Sequence, residues 1–150
     1  GGQRQPSEIW GVTPQRYTEI ADPWPLNPEG ELFIGLKLEN QESAANSDDI
    51  CRVPGLAFVE WGPGDMGMSF GMADAHDPPY PEEMNRVRNQ IKGAADRNGL
   101  KFLSSWSDPS KTDAENIQVL IDMGAHIFSG GGEEKATVGR KMTNRQMPVG

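Results

Sequence analysis

Two carboxylates follow two apolar segments of the sequence and could form one site. Glu39 follows the segment 32–38, and Asp65 lies in the glycine-proline segment 62–67, just after the apolar run 56–59. If the two runs are neighbouring parallel strands, both acids lie at the same end of the sheet. Two carboxylates without a nearby Cys or His suit a hard divalent cation. The alternative is a pair of solvated acids at helix starts, where acids are common.

The segment around Asp65 suggests a second element of the same site. Gly62 and Gly64 remove side chains where the backbone approaches a ligand, and the amides of Gly64 and Asp65 are expected to point into one space. Such amides bind carboxylates or phosphates. Beside a divalent cation, they would hold a 2-oxo acid whose enolate the cation stabilises as a Lewis acid.

The elements that must position these residues alternate between strand and helix from residue 31 onwards. Strands are predicted at 31–38, 56–61, 101–106 and 125–129, and helices at 41–50, 81–99, 112–124 and 133–143. A long loop is predicted after residue 61. Four strand–helix units imply a parallel α/β sheet with right-handed crossovers. They fit either a small open sheet or half of an eightfold barrel, which needs about 250 residues in full.

Local signals support the two helices with the clearest pattern. Apolar residues of the first recur at three- and four-residue intervals from Met84 to Ala95, and Gly99 is its expected end. The second begins with a capping box formed by Thr112 and Glu115 and ends at Gly124. One face of each helix is therefore expected to be buried.

Residues 1–30 are rich in proline and glycine and are predicted to be a connecting segment. A short helix is expected from Thr13 to Ile20, with Pro14 at its first position. The proline-rich stretch 22–28 can be neither a helix nor a central strand, and Trp24 and Leu26 are expected to anchor it. The remaining residues, 31–150, form the domain that carries the site.

The composition excludes several classes of function. Fourteen basic and 22 acidic residues give a net charge of −8, which argues against a nucleic-acid partner. No apolar stretch approaches the ~20 residues of a membrane span. The single Cys51 excludes internal disulfides, so we expect a reducing, cytoplasmic compartment and a small buried apolar role for this residue. Without an initiator Met or a signal peptide, the chain is expected to be a fragment or a processed piece.

Two segments of the sequence, 36–44 and 62–67, together resemble motifs of the HpcH/HpaI aldolases. The segment 36–44, Leu-Lys-Leu-Glu-Asn-Gln-Glu-Ser-Ala, resembles their fifth strand, and Gly-Pro-Gly-Asp-Met-Gly at 62–67 resembles their Gly-Pro-x-Asp-Leu-Ser loop. The downstream run through Ala125-His126-Ile127-Phe128 follows in the same order. The resemblance covers roughly 31–142, with the Gly-Gly-Gln opening in addition. It implies a (β/α)₈ barrel of which this chain is the second half, strands 5–8.

The resemblance also implies an activity and assigns residues to it. These enzymes are metal-dependent carbon–carbon lyases that cleave 4-hydroxy-2-oxo acids reversibly to pyruvate and an aldehyde. Glu39 and Asp65 correspond to the ligands of the metal (Mg²⁺, Mn²⁺ or Co²⁺), through which they are catalytic. Gly62, Pro63, Gly64 and Asp65 correspond to the pyruvate-carboxylate loop. Glu42 matches a family acid three residues after the first ligand, which either supports the metal ligands from behind or starts the next helix.

The sequence departs from the family at two points. Lys37 stands where the family commonly has a Gln that reaches the substrate, so Lys37 is assigned to substrate contact, with Schiff-base chemistry as a weaker alternative. No residue of this chain matches the family's catalytic His or its keto-binding Arg. The chain is therefore expected to need an N-terminal half-barrel, from the same gene or another chain, and to form a homo-oligomer.

Two other functions stay open at this point. A citrate-lyase-β-like enzyme acting on a CoA thioester would need a basic surface, and this chain is acidic. A non-catalytic half-barrel used for assembly or binding would explain the unmatched His and Arg. It would not explain why Glu39, Asp65 and the glycine loop are all present.

The remaining polar and sulfur residues have ordinary interpretations beside functional ones. His76 is predicted to be a surface histidine, with a role in a lid over the site as the alternative, and His126 is predicted to pack or hydrogen-bond in the core. The glycines at 130–132 are predicted to form a tight turn rather than a phosphate cradle, because two glutamates follow them. The methionines of the Asp65 segment either line the pocket mouth or pack in the core: Met66, Met68 and Met72.

Overall fold

The computed structural model describes residues 2–104 and 107–146, which contain eight helices and six short strands. The helices are α1 (Arg4–Trp10), α2 (Pro14–Ile20), α3 (Gln41–Ala45), α4 (Ser47–Cys51), α5 (Pro63–Ser69), α6 (Glu82–Arg97), α7 (Asp113–Asp122) and α8 (Gly132–Met142). The strands are β1 (Pro23–Trp24), β2 (Leu32–Phe33), β3 (Gly35–Leu38), β4 (Phe58–Trp61), β5 (Lys101–Ser104) and β6 (Ile127–Phe128). Ser105 and Trp106, predicted to extend β5, lie outside the described residues.

The four main strands pair in chain order, β3-β4-β5-β6, and every pair is parallel. Helices connect successive strands, so the predicted α/β class and its parallel strand–helix repeats are confirmed. This sequential order is the one that neighbouring strands have in a (β/α)₈ barrel. The carboxyl ends of the strands therefore lie together at one edge of the sheet.

The two faces of the sheet differ in chemistry. Leu38, Val59, Trp61 and Phe102 are buried on the face that the helices cover. On the opposite face, Lys37 pairs in register with Glu60, which in turn pairs with Leu103. The second face would form the interior of a closed barrel, and at its carboxyl end it is polar.

Helix α6 provides most of the packing against the covered face. Five of its side chains are buried: Met84, Val87, Ile91, Ala94 and Ala95. Glu82 and Glu83 lie in its first turn and Arg97 in its last, in the order that the helix dipole favours. The chain leaves the helix at Gly99, which has a φ of +71°, and the Leu100 amide donates to the Ala95 carbonyl. The prediction for this helix and for Gly99 is confirmed.

Helix α7 also forms as predicted. Thr112 accepts a hydrogen bond from the Glu115 amide, and the Glu115 carboxylate accepts one from the Thr112 amide at 2.8 Å. Ile117 and Leu120 are buried, and Gly124 has a φ of +76° just after the helix. Helix α8 ends one residue before the predicted limit.

The first half of the chain departs from the prediction in several places. The predicted strand 31–38 is divided at Ile34, because β2 pairs with β1 in a separate two-stranded sheet where Trp24 stacks on Phe33 at 5.3 Å. The predicted helix 41–50 is divided at Asn46, whose side chain donates to the Glu42 carbonyl and competes with the helix ladder. Leu26 is 65% exposed and is not an anchor.

Other differences concern the extent of elements. The segment 4–10 is a helix that the sequence did not predict, and the expected loop after residue 61 begins with α5. Strands β4 and β6 are shorter than predicted, at 58–61 and 127–128. Among the described residues, no helix is both long enough and apolar enough to cross a membrane.

Candidate functional site

Glu39 follows β3 directly and brings a carboxylate to the carboxyl end of the sheet. Its side chain is 32% exposed, and its Oε2 atom is buried without a partner in hydrogen-bonding geometry among the described residues. The Lys37 Nζ lies 3.0 Å from this oxygen, which makes an ion pair by distance alone. A buried carboxylate oxygen with unused lone pairs is costly unless a cation completes its environment.

Gly62 lies against Glu39 and makes room for it. A Cβ atom built on Gly62 would come within 2.5 Å of Glu39 Oε2 and 2.9 Å of Glu39 Cβ. The φ of Gly62 is −96°, so glycine is needed here for space and not for its backbone angle. The loop after β4 and the residue after β3 are therefore in direct contact, as the sequence predicted from their spacing.

Asp65 lies in the first turn of α5 and is exposed. Pro63 occupies the first helical position, and Gly62 precedes it as the N-cap. The amides of Gly64 and Asp65 belong to the first turn, where no carbonyl of the preceding turn is available to them. Glu42 likewise lies in the first turn of α3, which agrees with its assignment as a helix-start acid.

Lys37 is the cation around which these acids are arranged. Its pKa is raised, mainly by its contact with the Glu39 carboxylate. Burial opposes this effect, and the negative charges of Glu39, Glu60 and Asp65 each raise the pKa by a smaller amount. A lysine with a raised pKa stays protonated and is a poor amine nucleophile. This direction opposes the Schiff-base alternative for Lys37.

Glu60 belongs to this group, although the sequence analysis did not select it. It lies opposite Lys37 in the register of β3 and β4, on the same face of the sheet. The sequence signal that could have identified Glu60 is its position two residues before Gly62, in a strand whose side chains alternate between the two faces of the sheet. Strand alternation alone does not say which residue of the neighbouring strand it faces, because the register must be known first.

A cleft of about 220 Å³ lies beside the Gly64 loop. Its lining includes Trp61, Pro63, His76 and Tyr80. The Trp61 Nε1 and Tyr80 Oη atoms are buried and have no hydrogen-bond partner in the part of the chain that the structure describes, and the two rings meet edge to face at 5.0 Å. Burial and the charge of Asp77 raise the pKa of Tyr80 to about 12, so the phenol stays a donor. Trp61 and Tyr80 therefore line the cleft, and each carries a buried hydrogen-bond donor.

His76 is a surface histidine, as predicted. Its side chain is 60% exposed, and Nδ1 lies 2.7 Å from Asp77 Oδ2. Its Cβ lies 4.0 Å from the position that a Gly64 Cβ would take. The alternative role as part of a lid therefore keeps a structural basis, because His76 lies over the loop that begins α5.

The structure also shows where the other residues singled out from the sequence lie. His126 is exposed and not in the core, although its Nδ1 accepts a hydrogen bond from the Phe102 amide at 3.2 Å. Met66 is buried in the core, whereas Met68 is 59% exposed. Cys51 is buried, as predicted, and burial raises the pKa of its thiol. The glycines at 130–132 all have positive φ and form the predicted turn into α8.

Among the described residues, no group of three or more His, Cys, Asp or Glu side chains is arranged to hold a metal ion. The candidate site thus consists of two protein carboxylates, Glu39 and Asp65, at one end of the sheet. A site with two carboxylate ligands is typical of Mg²⁺, which usually keeps several waters and binds substrate oxygens as well.

Comparison with known proteins gives similarity in structure only. No protein-family model matches the chain, and no curated protein matches it. The HpcH/HpaI aldolase from Desulfitobacterium hafniense DCB-2 has a TM-score of 0.53 at 24% identity, over 79% of this chain and 45% of that one. The citrate lyase beta subunit from M. tuberculosis, complexed with oxaloacetate and magnesium, has a TM-score of 0.60 at 17% identity, over 74% and 52%. The protein CitE from Mycobacterium tuberculosis, in complex with magnesium and acetate, has a TM-score of 0.61 at 18% identity, over 79% and 52%.

The chain spans about half the length of each of these solved structures. The similarity agrees with the four sequential parallel strands and with the barrel predicted from the two motifs. The chain therefore has the parallel strand–helix fold that the HpcH/HpaI aldolase and citrate lyase beta structures share, as one half of a (β/α)₈ barrel.

Proposed function

We propose that this chain is the cation- and carboxylate-binding half of a carbon–carbon lyase of the HpcH/HpaI type. Its substrate would be a 4-hydroxy-2-oxo acid, cleaved reversibly to pyruvate and an aldehyde. The observation that carries the proposal is the contact between the two loops: Gly62 leaves the space in which the Glu39 carboxylate lies, next to the helix whose first turn contains Asp65.

The residues present fit a divalent cation. Glu39 Oε2 is buried and lacks a hydrogen bond of good geometry, and Asp65 supplies a second carboxylate at the same end of the sheet. Oxygen ligands without sulfur or imidazole are those that Mg²⁺ and Mn²⁺ prefer. The similar citrate lyase beta subunit was solved with magnesium and oxaloacetate, a 2-oxo acid, which supports this choice. When bound, such an ion would supply Lewis-acid polarisation of the substrate carbonyl.

The chain's own residues would bind and orient the substrate. The first-turn amides of Gly64 and Asp65 would donate to the substrate carboxylate, and the positive end of α5 favours that charge. Pro63 fixes the start of the helix and so the direction of these amides. Protonated Lys37 would contact a substrate oxygen as a donor.

The remaining chemistry is assigned to a partner. Cleavage needs a base that removes the proton of the 4-hydroxyl group, and no residue of this chain matches the family's catalytic His or Arg. We infer that these groups come from an N-terminal half-barrel, in the same protein or in another chain of an oligomer.

The test is pyruvate release from a 4-hydroxy-2-oxo acid by the protein in its native assembly. Activity should be lost with EDTA and restored by Mg²⁺ or Mn²⁺. Asp65→Asn and Glu39→Gln should each lower kcat/KM by at least about a hundredfold, because each removes a proposed ligand. Asp113→Asn is the matched control, since it removes a first-turn acid from α7 instead of α5.

Three results would contradict the proposal. Activity that survives EDTA would exclude the metal mechanism. An Asp65→Asn variant no more impaired than Asp113→Asn would show that Asp65 only stabilises a helix start. Retained Mn²⁺ binding in both Glu39→Gln and Asp65→Asn, measured by calorimetry, would place the cation elsewhere.

The two alternatives have less support. The chain carries a net charge of −8, which opposes binding of the phosphates of a CoA thioester. A purely assembling half-barrel would not need Gly62 as the space for Glu39. The metal-dependent lyase is therefore the function that the geometry supports best.

A further inference from the structure

A cavity of about 360 Å³ lies between α7, α8 and β6. Its volume falls in the range of small-molecule sites. One wall is apolar and comes from Ile117 and Ile121 of α7 and Phe128 of β6. The other wall is one face of α8.

This face of α8 lacks the large apolar side chains that a packed helix normally presents. Its lining residues are Lys135, Ala136, Gly139, Arg140 and Thr143, which recur at helical spacing. Ala136 and Gly139 leave space opposite Ile117 and Ile121, and a Cβ on Gly139 would still lie 3.7 Å from Ile117 Cδ1. The cavity therefore follows directly from the residue types along the helix.

Lys135 is the most informative residue of this wall. It is 7% exposed, and within the described part of the chain it makes no hydrogen bond or ion pair. Gly131, with a φ of +92°, lies against its aliphatic stem, since a Cβ there would come within 2.2 Å of Lys135 Cδ. The stem is therefore packed along the wall, while the Nζ atom keeps some accessible surface and can pair with an anion in the cavity.

The other ionisable residues of the lining are basic. They are Arg140, Arg145 and His126, and no Asp or Glu is among the described residues that line the cavity. Partial burial of its ring lowers the pKa of His126, and the charge of Lys101 lowers it further. The charge of Asp96 raises it, and the charges of Lys92 and Arg145 lower it by smaller amounts. Arg140 is already held by Glu133 and Thr137, so Lys135 and Arg145 are the cations available to a ligand.

We propose that this cavity is a binding site for a small carboxylate with an apolar chain, whose charge pairs with Lys135 and whose chain packs on Ile117, Ile121 and Phe128. A simple inorganic anion would leave the apolar wall uncovered. A neutral apolar molecule would leave the buried lysine unpaired. A carboxylate with an alkyl chain satisfies both walls.

The experiment uses sodium octanoate, 1-octanol and inorganic phosphate as probes of the full chain at pH 7.5. Octanoate should raise Tm in a saturable way and bind about tenfold or more tightly than 1-octanol, because of the charge-assisted contact with Lys135. Lys135→Met should abolish that difference. Its unliganded Tm should not fall, since methionine suits a buried helix position.

Two further variants keep the test valid even if Lys135→Met does not fold. Ala136→Leu should fill the cavity and lose octanoate binding while the protein stays folded by circular dichroism. Lys141→Met is the matched control, because Lys141 is an exposed lysine of α8 outside the lining, and octanoate should bind it as it binds the wild type. The proposal is overturned if octanoate does not stabilise the wild type, if Lys135→Met binds octanoate equally well, or if phosphate binds as tightly as octanoate.

Discussion

At the scale of single residues, Gly62 is the position at which the candidate cation site can be tested without removing a ligand. Gly62→Ala places a Cβ within 2.5 Å of Glu39 Oε2, so the carboxylate must move. Because φ is −96°, alanine accepts this backbone conformation without strain. We expect Mn²⁺ affinity, measured by calorimetry, to fall about ten- to hundredfold. Unchanged affinity would show that Glu39 in this position is not a ligand.

Replacing Lys37 should have the opposite effect and raise the affinity of the site for a cation. Its Nζ lies 3.0 Å from the oxygen that a cation would use, so the two positive charges compete for Glu39. Lys37→Gln should therefore raise Mn²⁺ affinity by about three- to tenfold, the scale expected for a partly exposed ion pair. Lys101→Gln is the control, since it removes an equal charge from β5. Weaker binding by Lys37→Gln would mean that the lysine supports the site instead of competing for it.

His126 should make stability depend on pH. Its pKa lies below the ordinary value, mainly because burial disfavours the imidazolium, and Nδ1 must stay unprotonated to accept the Phe102 amide. Below about pH 6.5 the unfolded chain binds a proton more readily than the folded one, so the free energy of unfolding falls as pH falls. Urea unfolding at pH 7.5, 6.5 and 5.5 should show this slope.

His126→Asn should remove much of that slope, because its amide oxygen can accept the same hydrogen bond without titrating. His76→Asn changes an exposed histidine and should leave the slope as in the wild type. Equal slopes in all three proteins would contradict the role of His126.

At the scale of elements, α6 offers two glycine substitutions with opposite expected signs. Gly93 lies inside the helix, and a Cβ there meets only the end of the flexible Arg97 side chain at 3.2 Å. Gly93→Ala should stabilise the protein by about 0.5–1 kcal/mol. Gly99 has a φ of +71° with nothing within 4 Å, so Gly99→Ala should destabilise it by about 1 kcal/mol through backbone strain alone. Urea unfolding measures both, and two changes of the same sign would contradict this account.

The elements also show which features the sequence could predict. Helices α6 and α7 were predicted because their signals are local. These signals are the spacing of apolar residues, the capping box of α7 and the glycine that follows each helix. The break at Ile34 could not be predicted, because it depends on the pairing of β2 with β1. The residues of the candidate site also differ in how far the sequence could predict them. Glu39 and Asp65 follow from strand ends, whereas the opposition of Lys37 and Glu60 needs the register.

At the scale of the whole molecule, the chain exposes apolar residues along the segment that ends in β3. Leu32, Phe33, Ile34 and Leu36 are between 38% and 58% exposed. Strand β3 lies at one end of the order β3-β4-β5-β6, so one of its edges has no strand partner among the described residues. An exposed apolar edge of this kind favours pairing with another chain. We expect a second half-barrel or another copy to bind at this surface.

We therefore expect the chain to self-associate as its concentration rises, and we expect Leu36→Lys to weaken that association. A lysine on an edge strand opposes pairing because its charge would have to be desolvated. Light scattering after size exclusion, across a range of concentrations, measures the effect. Val53→Lys is the matched control, since Val53 is 51% exposed but lies outside the strands. An equal reduction by both variants would indicate nonspecific charge repulsion, and no reduction by Leu36→Lys would exclude the β3 edge as the interface.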